Sequence, residues 1–250
     1  MNRPLILVTN DDGVHAPGVR TLFDAVTPLG ECYLIAPLRD NSAVSHSLTI
    51  DRPLRVIQLE DRVYTLDGTP TDCVNIGINK VLPRHPDLLV SGINSGHNLG
   101  DDISYSGTVS AAIEGTMYAV ASMAFSLGGG PVYDFEVAGS VAWKLAAMAL
   151  QFELPPGALL NVNIPPLPAG KIKGIRFTRQ GRKTYENAIQ ETEDPWGRPH
   201  YWIGGGTVHW TGADNTDEKA IRDGFISITP IQLDLTNLAG LDYLHRHWPM

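Results

Sequence analysis

Two adjacent carboxylates, Asp11 and Asp12, stand at the end of an apolar run and are followed at once by glycine in LILVTNDDGVHAPGV. Like charges this close repel, so the pair is comfortable when a cation neutralises it or when both side chains point freely into water. Two further stretches repeat the pattern. Residues 32–36 run into PLRDNSAVSHSLT, which offers Ser42, and residues 87–91 run into GINSGHNLGDDISYSGT, which offers Asn94 and Asn98. Carboxylate, hydroxyl and amide-carbonyl oxygens are hard donors, suited to Mg²⁺ or Mn²⁺ and unsuited to a thiolate-seeking metal. A second chemistry lies at Ser106, Gly107 and Thr108, beside the start of an Ala-rich helix expected over residues 109–119. Free N–H groups and the positive end of the helix dipole suit such a position to a phosphate. The plainer readings are an Asp-Gly turn with solvated carboxylates and an ordinary Ser/Thr cap. A cap explains one hydroxyl, but hardly two behind a glycine-rich loop.

These residues need strands to hold them. Residues 5–9 are continuously apolar or β-branched, the pattern of a strand covered on both faces of a parallel sheet. Pro17 opens a helix that Gly30 stops, and residues 32–36 make the second strand. Residues 50–59 and 63–66 look extended and could pair as a hairpin. Thr69, Pro70 and Asp72 form a helix start, which is a sufficient structural reason for that aspartate. Strands follow at 87–91, 122–127 and 159–164, with a turn at 128–130 and a long helix over 133–152. This alternation predicts an α/β fold, a Rossmann-like three-layer sandwich, over residues 1–165. After the break PPLPAG, residues 166–250 read as a C-terminal irregular and β-hairpin extension. Residues 171–211 carry Trp196, Trp202 and Trp210 and look like an arm that packs on another subunit. A short helix at 217–223, a strand at 225–229 returning to the body, and a terminal helix at 238–247 complete it.

Bulk properties exclude several classes. A formal charge of −8 without any basic block argues against binding a nucleic-acid polymer, so an anionic substrate would need a local cation. No apolar run is long enough to span a membrane, and Met1-Asn2-Arg3 leads straight into the first strand; a soluble, cytoplasmic protein is expected. Cys32 and Cys73 lack metal-ligand or CxxC spacing and read as reduced, packed thiols. No GxGxxG follows the first strand, Gly170-Lys171 lacks a P-loop's other residues, and Asn94 stands where a nucleophile elbow needs serine.

The motifs NDDGVHAPG, APLRDNSAVSHSLT, GTPTDCV, SGINSGHNLGDDISYSGTVSAAIEG and TDEKAIRDGFISITP, in this order across most of the chain, resemble the SurE family. These are stationary-phase survival proteins that act as metal-dependent nucleotidases. The resemblance implies one divalent cation, Mg²⁺ or Mn²⁺, held by Asp11, Asp12, Ser42 and Asn94, with phosphate contacts from Asn98, Ser106, Gly107 and Thr108. It also implies hydrolysis of nucleoside 5′- and 3′-monophosphates and a homodimer or homotetramer that exchanges C-terminal arms. Asp11 or Asp12 would serve as base for a water. His15 is a candidate proton donor to the leaving alkoxide, against the commoner capping or buried role; His46 and His97 receive no role. One departure is visible: Ala43 follows Ser42 where the family commonly has glycine, which puts the mobility of that loop in doubt. The alternative function is a non-catalytic nucleotide-binding regulatory module of the same fold.

Overall fold

The structure is a computed structural model that describes residues 3–129, 134–211 and 214–249. In chain order its first strands are β1 (Leu5–Thr9), β2 (Glu31–Pro37), β3 (Val56–Glu60), β4 (Val63–Leu66), β5 (Leu88–Ser95), β6 (Ala121–Leu127), β7 (Ala158–Ile164) and β8 (Ile175–Phe177). Four arm strands follow: β9 (Arg182–Glu186), β10 (Ile189–Glu193), β11 (Pro199–Ile203) and β12 (Thr207–Thr211). The last strand is β13 (Ile226–Gln232). Nine of these form one sheet in the order β3-β4-β2-β1-β5-β6-β7-β13-β8. From β4 to β7 all neighbours are parallel, whereas β13 runs antiparallel to β7.

Every residue of β1 is buried, and its alternation splits the core into two layers. Ile6 and Val8 face α1 (Pro17–Val26), while Leu5 and Leu7 face α2 (Pro70–Ile76) and α3 (Gly107–Met117). The first layer also takes Ala138, Ala142 and Leu145 of α4 (Phe135–Ala149). Each large aliphatic side chain buried in this way contributes about 1.5–3 kcal/mol, so the central strands are the least deformable part of the molecule. β2 continues from β1 on one side, and β5 lies on the other. Loops leaving the carboxyl ends of β1 and β5 therefore part at a topological switch point, where open α/β sheets form their ligand crevice. The three-layer α/β architecture expected from the sequence is present.

Several elements differ from expectation in extent. The strand expected from residue 50 begins at Val56, because Pro53 has no N–H for a ladder and Arg52 turns instead to the Asp67 carbonyl. α3 starts at Gly107, two residues early, with Ser106 as its N-cap. Tyr133 and Gly130, within the expected long helix and turn, lie outside the described residues. Beyond residue 166, β8 and β13 complete the main sheet, and the arm forms two ladders, β9 with β12 and β10 with β11. α5 (Asp217–Arg222) precedes β13, and α6 (Leu238–His247) ends the chain with Leu238, Leu241 and Leu244 exposed. Among the described residues no helix is long and apolar enough to cross a membrane. Both cysteines are buried and unpaired, and burial pushes the Cys32 thiol up to about 11.

Candidate active site

Asp11 sits where β1 ends, only 4% exposed, and its Oδ1 accepts a hydrogen bond from the Thr108 hydroxyl. This contact is possible because residue 107 is glycine: a Cβ there would come within 2.7 Å of the Asp11 Cβ. The first turn of α3 thus lies directly against the carboxylate. Burial pushes the Asp11 carboxyl up to about 6; the Thr108 bond opposes this and the charge on Asp12 adds to it. Asp12 is half-buried, accepts the Ser95 N–H at 3.3 Å, and is also pushed up, first by burial and then by Asp40. Among the described residues no Lys, Arg or His forms an ion pair with Asp11, Asp12 or Asp40. A clustered, partly buried negative charge with no organic counter-charge is what a bound cation would relieve.

The other candidate donors come from two loops. Asn94 donates its amide to the Gly96 carbonyl at 2.9 Å, which leaves its own carbonyl oxygen unspent next to the Ser95–Asp12 contact. Ser42 is exposed; its N–H and hydroxyl both go to Asp40 Oδ1, at 2.7 and 2.6 Å. Because the hydroxyl donates there, its lone pairs stay available. Its neighbour Asn41 reaches the cleft directly, donating its N–H to the Asp11 carbonyl at 2.8 Å. Asp11, Asp12 and Asn94 are therefore joined by direct or adjacent contacts, whereas Ser42 is brought alongside by Asp40 and Asn41 and does not touch them. Among the described residues no three His, Cys, Asp or Glu side chains converge as a metal site. Two carboxylates plus neutral oxygens fit a hard divalent cation and not zinc.

On the phosphate side, Ser106 caps α3, its hydroxyl oxygen accepting the Val109 N–H at 3.1 Å. The N–H groups of Gly107 and Thr108, at the first two helical positions, have no intrahelical acceptor and carry the positive end of the dipole. The Thr108 hydroxyl is fully buried and committed to Asp11, so only its backbone is left for an anion. Asn98 is buried, and its Nδ2 donates to Ser126 Oγ at 2.8 Å. Of the histidines, His46 bonds the buried Glu114 at 2.9 Å and His97 the Ile164 carbonyl at 2.9 Å; burial lowers His97. His15, three residues after Asp12, is exposed.

The departure at Ala43 carries a cost, since this residue holds φ +58°, the left-handed region where glycine is unstrained. Sequence reading overlooked Asp40, which is charged and two residues before Ser42. It also overlooked Asn161 and Asn163, whose signal was two amides at alternate positions of an otherwise apolar strand.

The family model "Survival protein SurE" matches residues 6–187. The chain belongs to the SurE family. It is 50% identical over 248 residues to a protein of Syntrophotalea carbinolica named 5′-nucleotidase SurE, covering 98% of each chain. A protein of the same name from Geobacter metallireducens is 48% identical over 240 residues, covering 96% of this chain and 95% of that one. The crystal structure of the SurE protein from Aquifex aeolicus superposes with a TM-score of 0.85 at 40% identity, covering 97% of this chain and all of that one.

Proposed function

We propose that this SurE protein is a metal-dependent phosphomonoesterase that releases phosphate from nucleoside 5′- and 3′-monophosphates. The observation that carries the reading is the bond between Thr108 and Asp11, which joins a cation-seeking carboxylate pair to a helix N-terminus suited to phosphate. Asp11, Asp12 and the Asn94 carbonyl, with Ser42 as a fourth donor, would hold one Mg²⁺ or Mn²⁺ ion. When bound, such a cation supplies Lewis-acid charge that offsets both the carboxylates and the phosphoryl oxygens.

The chain's own groups supply the rest. The N–H groups of Gly107 and Thr108 and the Ser106 hydroxyl receive the equatorial phosphoryl oxygens, preorganised where negative charge gathers as the ester bond breaks. Asn98 borders the same seat; with one Nδ2–H donated to Ser126, its second is left for an anion. Asp12, the more exposed carboxylate, takes the proton of the attacking water. His15 hands a proton to the leaving alkoxide. The arm, with Trp196, Tyr201, Trp202 and Ile203 exposed, and the bare leucines of α6 support a homodimer or homotetramer.

A panel of nucleoside 5′- and 3′-monophosphates assayed with Mg²⁺, Mn²⁺ and a chelator tests this. Phosphate release should require the cation and stop with chelator. Release indifferent to chelator would overturn the metal reading, and tight binding of the nucleotides without any release would favour a regulatory module.

A further inference from the structure

Asn163, fully buried on β7, spends both halves of its amide on the backbone of a single residue. Its Oδ1 accepts the Asn98 N–H at 2.9 Å, and its Nδ2 donates to the Asn98 carbonyl at 3.0 Å. Asn161, two residues earlier and on the same face of the strand, donates to that carbonyl as well, at 2.9 Å. Ser126, which receives the Asn98 side chain, is the register partner of Asn163 on one side and of Asn94 on the other. Asn94, Ser126 and Asn163 thus stand in one row across β5, β6 and β7.

The acceptor for an N–H and the donor to a C=O that Asn163 presents are what a neighbouring strand would offer from its backbone. Residue 98 lies past the end of β5, where no strand is available, and the asparagine takes its place. Filling a core strand with amides is unfavourable unless each is bonded. Here one atom, Asn161 Oδ1, has no partner at all. An aliphatic pair at 161 and 163 would pack with less penalty, so holding residue 98 is the service these amides provide.

We infer that Asn163, assisted by Asn161, is a positioning residue for phosphate release. It fixes the Asn98 backbone so that the Asn98 side chain stays at the edge of the phosphate seat. This rests on the phosphomonoesterase reading above. Asn163→Ala removes two of the three amide bonds to residue 98 and Asn161→Ala removes one.

The test is phosphate release from adenosine 5′-monophosphate in Mn²⁺, run as a double-mutant cycle with Asn98→Ala. Asn163→Ala alone should lower kcat/KM by at least about tenfold, since small misplacements of a binding group are magnified in rate. Once the Asn98 side chain is gone there is nothing left to position, so adding Asn163→Ala should cost less than about twofold more. Losses that multiply independently would overturn the inference, because Asn163 would then serve the fold alone; so would wild-type kcat/KM in Asn163→Ala. If Asn163→Ala does not fold, Asn161→Ala in the same cycle must show the same non-additivity on a smaller loss. An intact protein that releases no phosphate would instead sink the functional reading, and this inference with it.

Discussion

Replacing Asp11 by asparagine should destroy the activity while making the metal-free protein more stable. Burial holds the Asp11 carboxyl at about 6 in the folded state against 3.8 when unfolded. A raised carboxyl pKa means that the folded state binds the proton more tightly, so this group penalises folding when ionised. The penalty is absent below about pH 4, grows through the window up to about pH 6, and is complete above it. Roughly two pKa units at 1.36 kcal/mol each give about 3 kcal/mol at pH 7.5. Asparagine keeps an oxygen to accept the Thr108 hydroxyl and carries no charge, so Asp11→Asn should regain most of that amount. For a chain of this size that is about 6–12 °C in Tm. Thermal unfolding followed by circular dichroism, in chelator at pH 7.5 and again near pH 4.5, reads the difference between the two proteins. The gap should be large at pH 7.5 and shrink to about 1 kcal/mol at pH 4.5; carboxylates other than Asp12, whose charge acts on Asp11, titrate equally in both proteins and cancel. With Mn²⁺ at about a thousand times its Kd the order should reverse, since only the wild type gains about 4.1 kcal/mol by ligation. A variant no more stable than wild type at pH 7.5, or a gap that ignores pH, would refute the argument that burial and Asp12 strain this carboxylate.

Ala43→Gly should raise stability by about 1 kcal/mol, because a left-handed alanine costs about 1–2 kcal/mol and the added freedom of unfolded glycine returns part of it. Chemical denaturation checks this, and a loss of stability would show that the φ +58° turn is not strained. Ser106→Ala should lower turnover more than it weakens Mn²⁺ binding measured by calorimetry, with about 1 kcal/mol lost from the missing helix cap. The opposite ranking would move Ser106 into the cation's shell.

What the sequence made legible was whatever local pattern dictates. The unbroken run Leu5–Thr9 could only be a strand buried on both faces, and the capping set at Thr69 and Asp72 is present as a reciprocal capping box. The loop after β2 was illegible because its anchors lie far along the chain. Ser45 is held by residues 104 and 105, His46 by Glu114, and Thr49 by Asp72. No periodicity within residues 38–55 announces those partners. The start of α3 was misplaced by two residues because Gly107 and Thr108 are poor helix formers, and the close approach of Asp11 that requires glycine there is a tertiary fact. Asn161 and Asn163 were visible as polar residues in an apolar strand, but their common target was not.

The antiparallel β13 has a consequence for how the chain is made. Until the ribosome has delivered residues 226–232, β7 is an open edge with all of its outward N–H and C=O groups unpaired. Residues 165–225 must be synthesised in between, which at about 5–20 residues per second leaves that edge bare for roughly 3–12 s. Strand addition by a neighbouring nascent chain competes during that interval. A truncation anywhere before Ile226 would make the interval permanent, and aggregates of such fragments should be seeded along β7.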